Sequence, residues 1–287
     1  KIQEGCNMFC SYCIIPYAGG PIRSRKLEDI VHEIHRLEQH GFKEIVLTGI
    51  HIASYGKDLG KNTLLDVIRS AHNAEGIQRI RLSSIEPTIM SEAFVEELSK
   101  LEKVCPHFHL SLQSGCDETL KRMNRKYTTD EYREVVNRLR KTWPDVSITT
   151  DIMVGFPGET EEEFEKTMAF VREIQFSQIH VFKYSPRKGT PAASYPNQIN
   201  ASIKQIRSEK LIQLARESSI AFRKKFIGTS RHVLFETTSN ELEGYYEGFT
   251  DNYLKIFCSS DAFPLEGKIL KVKLEKIYQD AIIATLS

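Results

Sequence analysis

The sequence contains no stretch of about 20 consecutive apolar residues, the length that a membrane-spanning helix needs. It has no excess of one charge, because 39 Lys and Arg residues stand against 38 Asp and Glu residues. The overall charge therefore gives no argument for a nucleic-acid partner. There is no repeat of fixed period and no low-complexity segment, and apolar residues make up 40% of the chain, which argues against disorder. These absences leave a globular, non-membrane protein, and 287 residues fit one large domain with at most one small addition.

Cysteine is scarce, and its placement is uneven. Three of the six cysteines fall within eight residues in the pattern Cys6-x3-Cys10-x2-Cys13, and the other three are Cys105, Cys116 and Cys258. A disulfide-rich secreted domain would be shorter and richer in cysteine. The cluster instead predicts a metal site in a reducing, cytoplasmic compartment. The chain opens at Lys1 without an initiator Met or an apolar signal segment, so we expect that sequence upstream has been removed.

The number of clustered cysteines bears on the kind of metal centre. A structural zinc site normally has four ligands, and no fourth Cys or His stands at a finger-like distance. A [4Fe–4S] cluster held by three cysteines leaves one iron without a protein ligand, open to a substrate. We therefore predict an iron–sulfur cluster, with a structural zinc loop or incidental cysteines as the alternative.

After the cysteines, short β-rich runs alternate with helical patterns. The runs are 43–48, 79–83, 108–113, 147–154 and 178–184, and the helical segments are 27–39, 64–71, 91–101, 129–141 and 160–174. Such alternation predicts parallel strands joined by crossover helices. Only five or six units are visible before residue 190, whereas a complete eight-unit barrel typically needs about 250 residues. The predicted fold is therefore α/β, an open partial barrel of about six units.

The organisation changes after residue 200, which predicts domains at 1–200 and 229–287 joined by a basic helix at 201–228. That helix carries seven basic and two acidic residues, a net charge of +5. Five short alternating runs follow, which predict a small β-barrel with a net charge of −3. We expect the helix to bind phosphates through residues such as Lys224 and Lys225. In the barrel, Tyr246 is a candidate for stacking on RNA bases, with core packing as the alternative.

The cysteine motif, with Tyr12 before its third cysteine, resembles the signature of the radical S-adenosylmethionine superfamily. Other segments resemble the methylthiotransferase family within it: Cys13-Ile-Ile-Pro-Tyr17, Arg23-Ser-Arg25, Leu47-Thr-Gly49, Leu112-Gln-Ser-Gly115, DIMVGFPGET at 151–160 and YSPRKGT at 184–190. The segments Ser83-Ser-Ile-Glu-Pro87 and Ser185-Pro-Arg-Lys-Gly-Thr190 resemble the branch that modifies N6-threonylcarbamoyladenosine at position 37 of tRNA. They resemble it more than the relatives that act on isopentenyladenosine or on a ribosomal protein. The final sixty residues resemble the TRAM domain of these proteins, an OB-like barrel that contacts RNA.

This resemblance implies that Cys6, Cys10 and Cys13 hold a [4Fe–4S] cluster whose unique iron is chelated by S-adenosylmethionine. Cleavage would yield methionine and a 5′-deoxyadenosyl radical, which abstracts hydrogen from C2 of the adenine. The implied partners are the anticodon stem-loop of tRNA and an electron donor such as a flavodoxin or ferredoxin. The alternatives are a relative acting on isopentenyladenosine-37 or on a ribosomal protein, and a non-catalytic RNA-binding protein with a structural metal.

Polar residues at strand ends are further candidates, because ligands gather at the carboxyl end of a parallel barrel. The resemblance implies that Tyr12, Thr48 and Gly49 contact the cofactor. Strand-end position adds four predicted contacts: Glu86, Gln113, Ser114 and Asp151. The alternatives are an ordinary strand-to-loop glycine, a turn held by side-chain hydrogen bonds, and acids that are solvated or paired with arginine. Arg23, Arg25 and Arg187 lie in family motifs and are expected to hold a carboxylate or phosphate. Four histidines have no ligand spacing and are interpreted as surface or capping residues: His32, His35, His40 and His51.

The chain departs from the family pattern in two ways. It reads Ala18-Gly19-Gly20 where family members usually carry an arginine, whose loss could weaken activity. It also lacks the N-terminal family domain, in which three more cysteines hold a second iron–sulfur cluster that donates sulfur. From these residues alone we expect cleavage of S-adenosylmethionine without methylthiolation of tRNA.

Overall fold

The computed structural model describes all 287 residues and contains an open sheet of six parallel strands. They are β1 (Gln3–Glu4), β3 (Glu44–Leu47), β4 (Arg79–Leu82), β5 (His107–His109), β6 (Ser147–Val154) and β7 (Gln178–Lys183); the short β2 (Arg23–Ser24) pairs antiparallel to β1. Ladders join β3 to β4 and β5 through β7, and single parallel bridges complete the order, such as Gln3 to Gly49 and Ile85 to Leu110. The predicted partial six-unit barrel is confirmed.

Helices cover the outer face of this sheet. The single-turn helix α1 (Ile15–Ala18) follows the loop after β1. The covering helices are α2 (Leu27–Gln39), α3 (Leu64–His72), α4 (Glu92–Ser99), α5 (Asp117–Arg122), α6 (Thr129–Thr142) and α7 (Glu161–Ile174). The five predicted helices of this region match within two residues at each end, because side chains fix their starts. Capping boxes at Thr63, Thr128 and Thr160 satisfy free backbone N–H groups at the first turn. The two short helices, α1 and α5, carry too few turns to show an apolar period and were not predicted.

Side-chain alternation separates an outer apolar face from an inner polar face. Forty-two buried apolar residues form one core, which includes Phe108, Ile148 and Ile152 and lies between the sheet and the helices. Their neighbours along the strands, such as His109 and Asp151, point to the opposite, concave side. We call this concave side of the sheet the inner face. It carries the polar side chains of the partial barrel.

The predicted strand at 108–113 proves shorter, since β5 ends at His109. The chain leaves extended geometry before Gln113, whose φ of +70° lies in the left-handed region. Pairing with the next strand continues there only as a single bridge, between Gln113 and Ile152.

The long helix α8 (Ala201–Lys224) packs against β7 and α7. Its Arg207 is almost fully buried and donates to Glu159 at 2.8 Å and to Glu161 at 3.1 Å. A buried charge needs such a partner because desolvation otherwise opposes it. Arg207 therefore ties α8 to the turn before α7 and does not contribute to a free basic face.

The last sixty residues form a closed five-stranded barrel, as predicted. The strands are β8 (Ser230–Thr238), β9 (Tyr245–Thr250), β10 (Lys255–Ser259), β11 (Ile269–Tyr278) and β12 (Ala281–Leu286). Their order is β8-β9-β10-β12-β11, with β11 returning to β8, and β10 with β12 is the one parallel pair. This arrangement is consistent with a small OB-like barrel. No helix of the chain combines the length and the apolar character required to cross a bilayer.

The small barrel docks against the inner face of the sheet through two arginines. Arg79 donates to the carbonyl oxygens of Phe249 and His232 at 2.9 and 2.7 Å, and Arg81 donates to that of Asp251 at 3.0 Å. Tyr253 stacks on His107 with ring centroids 4.5 Å apart. Burial lowers the pKa of His107 to about 3, so the ring is neutral in this stack. Tyr253 therefore packs at the junction between the partial barrel and the small barrel.

Candidate functional site

The three clustered cysteines lie on the loop between β1 and α1. Gly5 starts this loop with a φ of +68°, and a Cβ atom there would lie 1.9 Å from the carbonyl oxygen of Pro21. Only glycine fits such a position. The loop then turns tightly, with the backbone N–H of Cys13 donating to the carbonyl oxygen of Cys10 at 3.0 Å. All three cysteines are free thiols.

The donor set of three thiols matches an iron–sulfur cluster better than a structural zinc ion. A structural zinc site normally has four ligands, whereas three cysteines leave one iron of a [4Fe–4S] cluster open. None of the three thiols is used in a disulfide. Burial raises the pKa of Cys6 and Cys13, and the charge of neighbouring thiolates adds to this effect. Coordinated metal ions would lower these pKa values instead, because they deprotonate thiols outright.

Arg125 is the nearest charged partner of the cysteine loop. Its side chain is only 8% exposed. Its Nη1 donates to Cys10 Sγ at 3.2 Å, its Nε donates to Tyr127 Oη at 2.9 Å, and its Nη2 lies 3.3 Å from Glu86 Oε1. Sequence reasoning missed this residue, because 115 positions separate it from Cys10. No local spacing could have indicated the contact.

Glu86 follows β4 and remains ionised despite its burial. Burial opposes the charge, but the hydrogen bond with His51 Nε2 at 3.1 Å and the charge of Arg125 outweigh it. The pKa of Glu86 therefore lies below its ordinary value. Of the two roles expected for His51, surface and capping, the structure supports capping: His51 is the N-cap residue of a short 3-10 helix at Ile52–Ser54. Its side chain is only 13% exposed and contacts Glu86, so it is not a surface residue.

A cavity of about 900 Å³ opens beside the cysteine loop. Met8 of that loop, His51, Glu86 and Thr88 contribute to its lining. The volume falls in the range of small-molecule sites, about 300–1,000 Å³. The cavity is therefore lined both by the cysteine loop and by Glu86, the buried carboxylate that contacts Arg125.

Other predicted cofactor residues make contacts within the protein. Tyr12 packs edge-on against Phe156, with ring centroids 6.3 Å apart. A Cβ on Gly49 would lie 2.9 Å from Ile52 and 3.0 Å from the carbonyl oxygen of Gln3, so the strand packing itself requires glycine there. The carbonyl oxygen of Thr48 accepts from Ile2 at 2.8 Å. Thr48 and Gly49 therefore pack against the segment that leads into the cysteine loop, and Tyr12 packs against Phe156 from within that loop.

Gln113 and Ser114 follow β5 but point to different surroundings. Ser114 is buried, and its hydroxyl lies 3.3 Å from Thr167 Oγ1 on α7 and accepts from the backbone N–H of Cys116. The alternative considered from the sequence, a turn held by side-chain hydrogen bonds, describes these contacts. Gln113 has the positive φ described above and a half-buried side chain. Asp151 lies on the inner face of β6, where its carboxylate approaches His109.

The arginines of the family-like motifs have different surroundings. Arg23 donates to the carbonyl oxygen of Gly19 at 2.7 Å and to Glu4 at 3.2 Å, and Arg25 pairs with Glu33. Arg187 is exposed, and its charge acts on the thiol of Cys13. Of the three arginines, Arg187 is the one whose charge acts on the cysteine loop, where it favours the thiolate form of Cys13.

The basic residues of α8 divide into engaged and exposed groups. Besides Arg207, Lys204 donates to the carbonyl oxygen of Tyr184 at 2.9 Å, and Arg223 donates to that of Asp280 at 3.1 Å. Lys224 and Lys225 are exposed at the end of the helix. Tyr246 is half-buried and packs against the core of the small barrel. The free positive charge is thus concentrated beside the barrel.

Comparison with known proteins agrees with this architecture. Residues 1–171 match the family model of the radical SAM superfamily. The chain is 42% identical over 281 residues to the threonylcarbamoyladenosine tRNA methylthiotransferase MtaB of Bacillus subtilis, covering 96% of this chain and 62% of that protein. It is 40% identical over 272 residues to the tRNA-2-methylthio-N(6)-dimethylallyladenosine synthase of Pelotomaculum thermopropionicum, covering 94% and 60%. The chain thus spans about three-fifths of the length of these curated relatives.

Solved structures resemble the fold at low sequence identity. Coproporphyrinogen III oxidase (HemN) from Escherichia coli, a radical SAM enzyme, aligns with a TM-score of 0.55 at 14% identity and covers 88% of this chain and 67% of that one. Methylornithine synthase (PylB) aligns with a TM-score of 0.52 at 16% identity, covering 74% and 60%. A three-cysteine loop at the start of an open six-stranded parallel barrel, matched by the family model over more than half of the chain, shows that the chain belongs to the radical SAM superfamily.

Proposed function

We propose that this chain is part of a methylthiotransferase that modifies C2 of N6-threonylcarbamoyladenosine at position 37 of tRNA. The observation that carries the proposal is the 42% identity with the MtaB protein over 96% of this chain. The dimethylallyladenosine-type relatives are almost as similar, at 40% identity. The motifs Ser83-Ser-Ile-Glu-Pro87 and Ser185–Thr190 favour the threonylcarbamoyl branch. Action on dimethylallyladenosine-37 is the second candidate.

In this proposal, Cys6, Cys10 and Cys13 hold a [4Fe–4S] cluster. When bound, the cluster supplies the electron that cleaves S-adenosylmethionine, and sulfur comes from a second cluster held outside these residues. Glu86 keeps a negative charge at the wall of the 900 Å³ cavity and can accept from an amino or hydroxyl group of the cofactor. Tyr12, Thr48, Gly49 and Gln113 remain proposed neighbours of the cofactor, while Ser114 supports the turn after β5.

Discrimination between the two tRNA substrates tests this proposal. The threonylcarbamoyl group carries a carboxylate and the dimethylallyl group is apolar. A hydrogen bond to a charged group contributes about 1.5–3 kcal/mol, so a matching site should prefer the former by about tenfold or more. We expect the reconstituted chain to bind an anticodon stem-loop with threonylcarbamoyladenosine more tightly than one with dimethylallyladenosine, measured by fluorescence anisotropy.

The unmodified stem-loop serves as the control in this experiment. Tighter binding of the dimethylallyl stem-loop would establish the second candidate instead. Equal binding of all stem-loops and of an unrelated hairpin would contradict a substrate site for a modified adenosine. A chain that shows no absorbance near 400 nm after anaerobic reconstitution would favour an RNA-binding protein with a structural metal.

For tRNA docking, we propose that the exposed end of α8 contacts phosphates and that the small barrel contacts the loop through Tyr246. Changing Lys224 and Lys225 to Ala should weaken stem-loop binding. It should also reduce the salt dependence by up to about two units in the slope of log K against log salt, because each neutralised phosphate contributes about 0.9. Measuring Kd at several salt concentrations gives the slope directly.

Lys210→Ala is the matched control on the same helix. Its Nζ already pairs with Glu161 at 3.5 Å and Glu165 at 3.9 Å, so its removal should leave the slope nearly unchanged. Tyr246→Ala should weaken binding with little change in slope, since stacking depends weakly on salt. A larger slope change for Lys210→Ala than for the double variant would place the phosphate contacts elsewhere.

A further inference from the structure

Three neighbouring strands bring two histidines and an aspartate together on the inner face of the sheet. His109 ends β5, Asp151 lies in β6, and His180 lies in β7 directly opposite Asp151 in the strand register. One ligand atom from each of these residues lies within 4.8 Å of both others. The sequence offered no spacing for this group, because 42 positions separate His109 from Asp151 and 29 more lead to His180.

The ring of His109 is held so that one nitrogen faces Asp151. Its Nδ1 lies 3.0 Å from Thr149 Oγ1, and in the tautomer whose Nδ1–H donates to that hydroxyl, Nε2 presents its lone pair. Nε2 is buried and has no hydrogen-bond partner. An unsatisfied buried nitrogen costs stability. Orientation of a ligating imidazole through its other nitrogen is the usual arrangement around a protein-bound metal.

The distance from His109 Nε2 to Asp151 Oδ2 is 3.3 Å. This is longer than the usual N–H···O hydrogen bond of 2.7–3.2 Å. Two ligands that lie about 2.0–2.1 Å from a tetrahedral zinc ion are separated by about 3.3–3.4 Å. The spacing therefore fits two ligands on one edge of a metal coordination shell.

Exposure increases across the three ligands. The side chains of His109 and Asp151 are 15% and 30% exposed, and His180 is exposed. His180 also lines a cavity of about 510 Å³ that reaches Tyr253 and Lys255 of the small barrel. A cation held here would have protein on one side and an open position on the other, as in zinc sites that bind water or a substrate oxygen.

The geometry points to a site for one borderline divalent cation, of the Zn²⁺ class, held by His109, Asp151 and His180 on the inner face of the barrel. Two imidazoles with one carboxylate and an open position are an established ligand set for zinc. Thr149 acts as the positioning residue that fixes the tautomer of His109. For Asp151, this role differs from the cofactor contact that its position at a strand end predicted. The inference depends on these four side chains and not on the tRNA substrate proposed above.

Zinc binding to the cluster-loaded chain tests this site. Loading the iron–sulfur cluster first occupies the thiols, so added Zn²⁺ competes only for other ligands. We expect one equivalent of zinc per chain to survive desalting, with an X-ray absorption shell of nitrogen and oxygen at about 2.0–2.1 Å and no sulfur at about 2.3 Å. Asp151→Asn and His180→Ala should lose this equivalent, and Thr149→Ala should weaken zinc affinity about 10–100-fold.

His32→Ala is the matched control, because His32 is an exposed histidine on α2. It should retain the full equivalent of zinc. Asp151→Asn preserves shape, and its unfolding midpoint, followed by circular dichroism, shows whether the fold persists. Failure of the wild-type chain to retain zinc, a sulfur shell in the absorption spectrum, or unchanged zinc in Asp151→Asn and His180→Ala would each overturn the site.

Discussion

Replacement of Cys6, Cys10 and Cys13 by Ala should leave the chain without a [4Fe–4S] cluster after anaerobic reconstitution, whereas the wild-type chain should hold about four cluster irons. The three thiols share one loop that Gly5 positions, so no other side chain of the chain can take their place there. Cleavage of S-adenosylmethionine, followed as 5′-deoxyadenosine after addition of dithionite, should fall to background in the variant. Iron analysis and absorbance near 400 nm measure the loss.

The matched control replaces the other three cysteines, Cys105, Cys116 and Cys258, by Ala. All three are buried, and burial raises the pKa of Cys105 to about 12, so that thiol stays protonated. Cys258 lies in the core of the small barrel. The control should bind the same iron as the wild-type chain. Loss of the cluster from a control that still folds, or about four irons in the Cys6/Cys10/Cys13 variant, would disprove the ligand assignment.

Changing Arg125 to Gln should make the reduction potential of the cluster more negative by on the order of 100 mV. A unit charge about 4 Å away contributes about 4 kcal/mol at an effective dielectric constant of about 20, which is about 170 mV for one electron. Glu86, 3.3 Å from the guanidinium, offsets part of this charge. The hydrogen bond to Cys10 Sγ and the positive charge of Arg125 both stabilise the reduced cluster. Loss of either one therefore makes the reduction potential more negative.

Redox titration followed by electron paramagnetic resonance measures this shift independently of enzyme activity. Arg122→Gln is the matched control, because Arg122 lies three residues earlier and pairs with Glu163. Its removal should leave the potential within a few tens of millivolts of the wild-type value. In an Arg125→Gln/Glu86→Gln double variant, the potential should return part of the way, since the unpaired carboxylate is removed. An unchanged potential in Arg125→Gln would show that the arginine has only a packing function.

Much of the fold could be predicted because its signals are local. The starts of α6 and α7 depend on capping boxes that span three residues, Thr128 to Glu131 and Thr160 to Glu163. The strands of the small barrel follow from alternation over five to ten residues. The prediction for 108–113 was too long because the left-handed φ of Gln113 is set by the barrel around it and not by the residue type.

The sequence by itself indicated the three-cysteine loop, since three cysteines within eight residues are visible without any distant partner. It also determined the succession of strand and helix units, because each is encoded by the periodicity of a short segment. Only the tertiary structure decided which charges are available. Arg125 donates a hydrogen bond to Cys10, Arg207 forms an ion pair with Glu159, and Tyr253 stacks on His107. In each case more than 40 residues of chain separate the two partners. Arg125 and Arg207 have these partners because desolvation opposes an unpaired buried charge. His109, Asp151 and His180 likewise meet only because parallel strands place their side chains on one face of the sheet, a proximity that no sequence spacing indicates.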